Sequence, residues 1–304
     1  MKQKTFDMEM KETFGGKVYR LALSTGCTCP NRDGTVGHGG CIFCSEGGSG
    51  DFATDFSMTV SEQIESAKLL VSKKLSKSFA GYMAYFQSFT NTYGPIERLK
   101  AIFTEAISRD DIVALDIGTR PDCLPDEMVK MLSSLNKIKP VYVELGLQTM
   151  HEDTARYINR CYPLSVFEDA VKRLRSEGIK VVVHMIVGLP GEDEKMILET
   201  AQYLSDFSHS VPDVTLINGI KIQILQVLKN TRLAGAVSDD PSLIREYTLE
   251  EYTELLKKIL YILPSGMTVH RLTGDPPKKL LISPLWTADK RHVLNYIKKE
   301  LELP

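Results

Sequence analysis

Long hydrophobic runs are missing from this 304-residue chain. No apolar stretch approaches the roughly 18 residues that a membrane-spanning helix needs. The N-terminal segment MKQKTFDMEMKETFGGKV also lacks the apolar core of a secretory signal peptide. We therefore expect a cytoplasmic protein with no membrane partner.

An excess of charge of one sign is missing as well. Lysine and arginine total 37 against 39 aspartate and glutamate, which leaves a net charge of −2. Such a chain has no overall positive field for a polyanion, so any nucleic-acid contact needs a local basic patch. Hydrophobic residues make up 43% and charged residues 25%, which is typical of folded globular proteins and excludes a disordered or collagen-like chain.

Apolar, β-branched segments alternate with amphipathic segments along the chain. The predicted strands are residues 18–24, 82–86, 112–117, 141–145, 181–187 and 220–228, with a candidate seventh at 267–272. The predicted helices are residues 59–78, 95–108, 125–136, 165–176, 193–206, 248–263 and 289–301. Thr59 and Glu62 have the spacing of a capping box. Near-continuous apolarity predicts a parallel sheet covered on both faces, and the alternation predicts a barrel-like α/β fold.

A long glycine-rich loop interrupts this alternation at residues 25–57, after the first strand. It carries Cys27, Cys29, Cys41 and Cys44 in the spacing C-x-C-x₁₁-C-x₂-C. In a reducing compartment such clustering indicates metal ligation or redox chemistry rather than disulfides. The spacing alone leaves open a closed zinc site and an iron–sulfur centre. Because active sites of parallel α/β barrels lie in the loops after the strands, the loop's position favours a catalytic centre.

Several motifs resemble those of one enzyme family. They are the segments FGGKVYRLALSTGCTCPNRDGT and GGCIFC, YFQSFTNTYGP at 85–95, DIGTRPDCLPDE at 116–127, ELGLQT at 144–149 and HMIVGLPGE at 184–192. Together these resemble the radical S-adenosylmethionine (SAM) proteins of the YhcC/YtqA type, relatives of the Elongator catalytic subunit. The resemblance covers nearly the whole chain. It implies a partial (β/α)₆ TIM-like barrel in a single domain of residues 1–304, with a core of about 17–230, a short N-terminal extension and a C-terminal extension of about 231–304.

The resemblance also implies two cofactors. In such families three cysteines hold a [4Fe-4S] cluster and leave one iron for the amino and carboxylate groups of SAM. By resemblance the three are Cys29, Cys41 and Cys44. Cys27 stays open as an alternative to Cys29 because spacing cannot resolve a C-x-C pair; we favour Cys29, which lies in the Cys-Pro-Asn-Arg-Asp-Gly block. Reduction by an external flavodoxin- or ferredoxin-type donor would cleave SAM to a 5′-deoxyadenosyl radical.

Residues near the predicted strand ends are candidates for binding SAM. The polar stretch after the second strand is expected to bind the amino group of SAM. The residues around and after the fourth strand are expected to bind its ribose and carboxylate. Gly188 and Gln226, after the fifth strand and near the end of the sixth, are expected to lie beside adenine. The alternatives are ordinary turn, surface or core residues. The candidates are Gln87, Ser88, Asn91, Glu144, Gln148, Arg160, Gly188 and Gln226.

Other polar residues and cysteines receive no such role. His184 is predicted to be a core histidine, and Cys123 and Cys161 are predicted to be buried, inert thiols rather than ligands of a second cluster. A further group of polar residues lies near the expected barrel mouth on the substrate side, without an assigned function. This group consists of Asp116, Arg120, Asp122, Arg271 and Asp275.

The resemblance makes transfer RNA the leading substrate hypothesis, because the related enzymes modify its wobble uridine. We expect action at the carboxymethylaminomethyl-uridine stage. The basic clusters at 73–74 with Lys77, at 278–279, at 290–291 and at 298–299 are candidates for phosphate contacts, although solvated helix faces would look the same. Two alternatives stay open: a radical SAM enzyme acting on a small molecule or peptide, and a zinc-stabilised binding module without enzymatic activity.

Overall fold

The computed structural model describes residues 3–48 and 53–303. Its strands are β1 Lys17–Leu23, β2 Phe79–Phe86, β3 Ile112–Thr119, β4 Val141–Gln148, β5 Lys180–Val187, β6 Gly219–Ile224, β7 Val227–Leu228, β8 Thr268–Arg271 and β9 Leu281–Ser283. Its α-helices are α1 Phe6–Phe14, α2 Val60–Val71, α3 Ile96–Ile107, α4 Asp126–Asn136, α5 Glu152–Tyr157, α6 Leu164–Ser176, α7 Glu194–Ser208, α8 Arg232–Asp239, α9 Leu249–Ile262 and α10 Lys290–Glu300. In these ranges we find no helix with the length and apolarity needed to cross a membrane.

A parallel sheet forms the centre of the described structure. Its order is β1-β2-β3-β4-β5-β6-β8, and it curls into a half-barrel. The predicted α/β fold is therefore confirmed. The candidate seventh strand also exists, because β8 pairs in parallel with β6. All carboxyl ends of these strands lie at one end of the half-barrel, where a parallel α/β fold assembles its site.

The helices cover the outer face of the sheet, and α1 closes the barrel from below. Thr5 caps the start of α1, and Gly15 ends the helix in the left-handed conformation with φ 77°. Met10 of this helix packs inside the barrel against an apolar layer that includes Met83 and Tyr142. The amino end of the barrel is thus filled with side chains, and the carboxyl end stays open.

Two predicted elements have different ends in the structure. The helix predicted for 59–78 ends at Val71 and continues as a short 3₁₀ turn, because the hydroxyl of Tyr19 ties the following chain to β1 through Lys74 and Ser76. Its Thr59–Glu62 capping box is confirmed. The strand predicted for 220–228 divides after Ile224, since β7 turns away and pairs antiparallel with β9. Apolarity alone cannot locate such a break.

Candidate active site

A cavity of about 260 Å³ lies at the open end of the barrel. Side chains from several strands and from the cysteine loop line it. All three predicted cluster ligands and five of the eight predicted SAM-binding residues line this cavity. These are Cys29, Cys41, Cys44, Gln87, Glu144, Gln148, Arg160 and Gln226.

The two cysteines of the C-x-C pair lie in different surroundings. Cys29 lines the cavity together with Cys41 and Cys44. Cys27 is buried in the main hydrophobic core, where its sulfur lies 3.7 Å from Nη1 of Arg98. A tetrahedral zinc ion needs four thiolates only about 3.8 Å apart. The separation of Cys27 from the other three cysteines argues against a four-cysteine zinc site. Of the two cysteines outside the loop, Cys123 is buried as predicted, whereas Cys161 is exposed, so the prediction of a buried thiol is wrong there.

Two asparagines anchor the cysteine loop to the segment after α5. Asn31 is completely buried, and its amide donates to the carbonyl of Asn159 at 2.5 Å and to the sulfur of Cys41 at 3.8 Å. In return, the Asn159 amide donates to the carbonyl of Gly40 at 2.7 Å. Asn159 has φ 58°, a conformation that asparagine tolerates better than most residues. This pair was not predicted; the sequence signal was an asparagine inside the cysteine block.

The sulfurs of Cys41 and Cys44 interact with each other and with nearby cations. The hydrogen bond with Cys41 lowers the pKa of Cys44, and Arg32 lowers it further. The same hydrogen bond and burial raise the pKa of Cys41. A thiol with a lowered pKa is the more readily available thiolate, which is the form that binds metals. Arg32 also fixes the loop by donating to the backbone carbonyl of Ser45.

A buried polar network lies between the cavity and the apolar plug. Its centre is Glu144, whose carboxylate accepts hydrogen bonds from Tyr85 and His184, both at 2.8 Å, and pairs with Lys221. Burial raises the pKa of Glu144, but Lys221 and His184 outweigh burial and hold it well below its usual value. Burial lowers the pKa of Lys221 to about 8. His184 is therefore a partnered interior histidine, as predicted, although it also lines the cavity.

Asp116 and Arg20 extend this network toward β1. Nε of Arg20 donates to Asp116 at 2.9 Å, and Nη2 lies 2.7 Å from Nδ1 of His270. Burial raises the pKa of Asp116 to about 7, with repulsion from Glu144 adding to the effect. Asp116 is not at the predicted position on the substrate side of the barrel mouth, because its side chain is fully buried in this layer.

Three of the predicted SAM-binding residues do not line the cavity. Ser88 donates to the hydroxyl of Ser24 at 2.8 Å, and the Asn91 amide donates to the carbonyls of Phe86 and Gly118. Both brace the turn after β2. Gly188 has φ 85°, the left-handed conformation that favours glycine, and it lies beside the ring of Tyr247, which a Cβ atom there would contact at 3.4 Å. For Gly188 the simple turn is the interpretation that fits the structure.

Arg160 and Gln148 both line the cavity, but their side chains have different partners. Arg160 is only 1% exposed, so the alternative of a solvated surface residue does not apply. Its guanidinium donates to the backbone carbonyls of Leu147, Thr149 and Tyr162. The group thus ties the end of β4 to the segment after α5. Gln148, with φ 63°, ends β4 next to the cavity and lies 3.5 Å from the Tyr162 hydroxyl.

Comparison with known proteins identifies the family. The Radical SAM superfamily profile matches residues 25–204, and the Radical_SAM C-terminal domain profile matches residues 217–303. The chain belongs to the radical SAM superfamily. Radical SAM enzymes use a [4Fe-4S] cluster and SAM, so the two predicted cofactors are those of the family.

Sequence relatives of this radical SAM protein match it over most of its length. It is 43% identical to YtqA of Bacillus subtilis over 98% of this chain and 89% of YtqA. It is 32% identical to YhcC of Escherichia coli over 94% of this chain and 87% of YhcC. A shorter match, 28% identical over 56% of this chain, links it to 30% of a Methanocaldococcus jannaschii protein named tRNA uridine(34) acetyltransferase.

A solved structure supports the same fold for this radical SAM protein. The archaeal Elp3 of Methanocaldococcus infernus aligns with a TM-score of 0.66 at 18% identity, covering 94% of this chain and 63% of that chain. The residues present suit the family's cofactors, because three thiols line one cavity together with polar side chains such as Gln87 and Gln148 and apolar side chains such as Phe89 and Leu225. A cubane cluster needs thiolates around a common space, since each thiolate binds a different iron atom.

Proposed function

We propose that this radical SAM protein cleaves SAM reductively to a 5′-deoxyadenosyl radical and uses the radical to modify the wobble uridine of tRNA at the carboxymethylaminomethyl stage. The observation that carries the proposal is the gathering of Cys29, Cys41 and Cys44 on one cavity at the carboxyl ends of the strands. The fourth cysteine of the loop, Cys27, lies in the core. This division supports a three-thiolate cluster with a free iron over a closed zinc site.

Cys29, Cys41 and Cys44 would hold the cluster, which supplies the electron that splits the sulfonium of SAM. Gln87, Gln148 and Gln226 are the uncharged polar candidates on the cavity wall for SAM. The buried amide nitrogen of Gln226 has no hydrogen-bond partner among the described residues, so it is available to a bound ligand. Under this proposal Ser88, Asn91, Arg160 and Glu144 position the wall rather than contact SAM directly.

The chain's own contribution is to position the ligands and to exclude water. The plug around Met10 closes the lower end of the barrel, and the anchored cysteine loop covers part of the upper end. A radical must meet the substrate hydrogen before it meets solvent or protein, so a sealed floor protects the reaction. An external one-electron donor, as the family uses, would deliver the electron; we propose a flavodoxin or ferredoxin, and the cytoplasm as the location.

A basic rim supports tRNA as the substrate. We use this name for Lys229, Arg232, Lys278 and Lys279, four exposed side chains beside the cavity. The backbone N–H of Lys229 donates to the carbonyl of Leu280 at 2.7 Å, which ties its two segments together. Leu228 and Pro277, next to the rim residues, line the cavity itself. Phosphates bound at this rim would hold a nucleotide over the cavity mouth.

The predicted basic pair at 73–74 does not share this location. Lys73 and Lys74 follow α2 and precede β2, so they lie toward the amino ends of the strands, away from the cavity. The name of the archaeal uridine(34) relative supports the same substrate class. A small-molecule or peptide substrate has no comparable support.

The decisive experiment uses the anaerobically purified, cluster-loaded protein with dithionite and SAM. We expect 5′-deoxyadenosine to form and tRNA bearing carboxymethylaminomethyl-uridine to be converted to a product of new mass. We also expect a strain without the gene to accumulate that nucleoside. Radical formation with an unchanged tRNA nucleoside profile would reject tRNA as the substrate. A protein that binds only zinc would reject the radical reaction itself.

A further inference from the structure

Arg271 differs from the other arginines of the cavity wall. Arg32, Arg120 and Arg160 all donate to protein groups: Arg120, for example, forms two hydrogen bonds with Asp122, at 2.9 and 2.7 Å. Arg271, at the end of β8, lines the same cavity and is partly exposed to it. It forms no hydrogen bond and no ion pair with any residue that the structure describes.

The acidic groups of the cavity wall are already neutralised. Among the described lining residues the carboxylates are Glu144 and Asp275. Glu144 is paired with Lys221 and His184, and Asp275 is paired with Lys290. Arg271 is paired in sheet register with Lys221, so two cationic residues occupy adjacent strands. The wall near β6 and β8 therefore carries uncompensated positive charge facing the cavity, which attracts an anion.

This charge lies apart from the cysteines. The cysteine loop is anchored to Asn159, which follows β4, through Asn31 and Gly40. Arg271 instead ends β8, which pairs with β6 and lies three places from β4 in the order of the sheet. SAM bound through its amino and carboxylate groups to a cluster on these thiolates would have its anionic end beside them, away from Arg271.

We infer that Arg271 binds a carboxylate of the substrate, and thereby makes this cavity selective for a substrate that carries one. The inference rests on the proposed function, in which the wobble side chain ends in a carboxymethylamino group. The planar guanidinium forms two parallel hydrogen bonds with a carboxylate, which fixes both its position and its orientation. Such fixation would present the carbon atoms next to the carboxylate to the radical in a defined geometry.

The test compares two anticodon stem-loops, one with 5-carboxymethylaminomethyl-uridine and one with 5-aminomethyl-uridine at the wobble position. We expect the cluster-loaded protein to bind the first at least about tenfold more tightly, and Arg271→Met to abolish this preference. Arg271→Lys, which keeps the charge and loses the fork, should show an intermediate preference. Arg156→Met is the matched control, since Arg156 is exposed on α5 and pairs with Asp153 outside the cavity.

A second readout separates this inference from the proposed function. Phenylglyoxal labels free guanidinium groups, and we expect acetate at constant ionic strength to protect Arg271 from labelling in the folded protein. Protection without any binding of either RNA would retain the carboxylate site and reject the tRNA substrate. A preference that Arg271→Met leaves unchanged would overturn the inference, as would a loss of SAM affinity in Arg271→Met with the RNA preference intact. Because Arg271 has no hydrogen-bond or ion-pair partner within residues 3–48 and 53–303, the variant leaves no described buried group unpaired and should fold.

Discussion

Lys221 and Glu144 form an ion pair beneath the cavity, with Nζ of Lys221 2.5 Å from Oε2 of Glu144 and both side chains at most 1% exposed. Tyr85 donates to the same oxygen and accepts from Lys221 at 3.0 Å. A fully buried pair costs desolvation energy, so its contribution is the ordering of the floor rather than a large net stabilisation. Removing one partner of such a pair costs far more than removing both, because the remaining charge stays buried without a counter-charge.

Removing only the lysine should destabilise the protein strongly. We expect Lys221→Met to lower the free energy of unfolding by about 3–5 kcal/mol, because Glu144 would stay buried without its main counter-charge. The double variant Lys221→Met with Glu144→Gln should recover most of this loss. Denaturant titration of the three proteins measures it. Equal stability of the single and double variants would contradict the pairing.

Asp116 should make stability depend on pH in the opposite sense to an ordinary aspartate. Its pKa rises from 3.8 to about 7 through burial, so the folded state binds more protons than the unfolded state between these values. Its contribution to stability is therefore present below about pH 4 and is lost as pH rises toward 7. We therefore expect the difference in melting temperature, Asp116→Asn minus wild type, to be higher at pH 8 than at pH 5.

Comparing the variant with the wild type removes the pH dependence of stability that other titrating groups give to both proteins. Burial lowers the pKa of His270 to about 4, which makes stability rise with pH in both proteins. Only the difference between Asp116→Asn and the wild type reports on Asp116. A difference that is flat between pH 5 and pH 8 would show that the carboxyl titrates normally.

Three of the four loop cysteines should be needed for the iron–sulfur cluster, and the fourth should be dispensable for it. We expect Cys29→Ala, Cys41→Ala and Cys44→Ala to lose the iron–sulfur absorbance and the formation of 5′-deoxyadenosine, because each removes a sulfur from the cavity wall. Cys27→Ala should keep both, since its sulfur lies in the core. Iron and sulfide analysis after anaerobic reconstitution measures the effect. Loss of the cluster in Cys27→Ala but not in Cys29→Ala would exchange their roles.

The asparagine anchor should control how firmly the loop holds its cofactor. We expect Asn159→Ala and Asn159→Gly both to release iron to a chelator faster than the wild type, because each removes the amide that holds Gly40. Asn159→Gly tolerates φ 58° and should be the more stable of the two by about 1 kcal/mol. Chelation rates near the wild-type value in both variants would mean that the anchor is dispensable.

Charge reversal at the basic rim should weaken RNA binding specifically. We expect Lys278→Glu with Lys279→Glu to reduce tRNA affinity and to reduce the salt dependence of binding by about one unit of slope per lost phosphate contact. The matched control is Lys100→Glu with Lys130→Glu, since these lysines are exposed on α3 and α4. Filter binding at several salt concentrations measures both pairs. An equal loss in the control would indicate a general charge effect.

The sequence alone determined the alternation of strands and helices, the cysteine loop and the family resemblance. These are local properties: apolar periodicity, the Thr59–Glu62 capping box and the spacing of Cys41 and Cys44 are visible within short windows. Only the tertiary structure decided which residues share the cavity. The separation of Cys27 from Cys29 depends on which way two side chains point from neighbouring loop positions, and spacing does not record that direction.

The same limit applies to the charged groups. Glu144, Lys221 and Arg20 lie on strands far apart in the chain, and they meet because the sheet curls and brings its inner faces together. Arg160 and Arg271 look alike in the sequence, yet backbone carbonyls occupy the guanidinium of one and leave the other facing the cavity. Whether an arginine is a brace or a binding group depends on which acceptors the fold brings within hydrogen-bond distance, and long-range packing sets that.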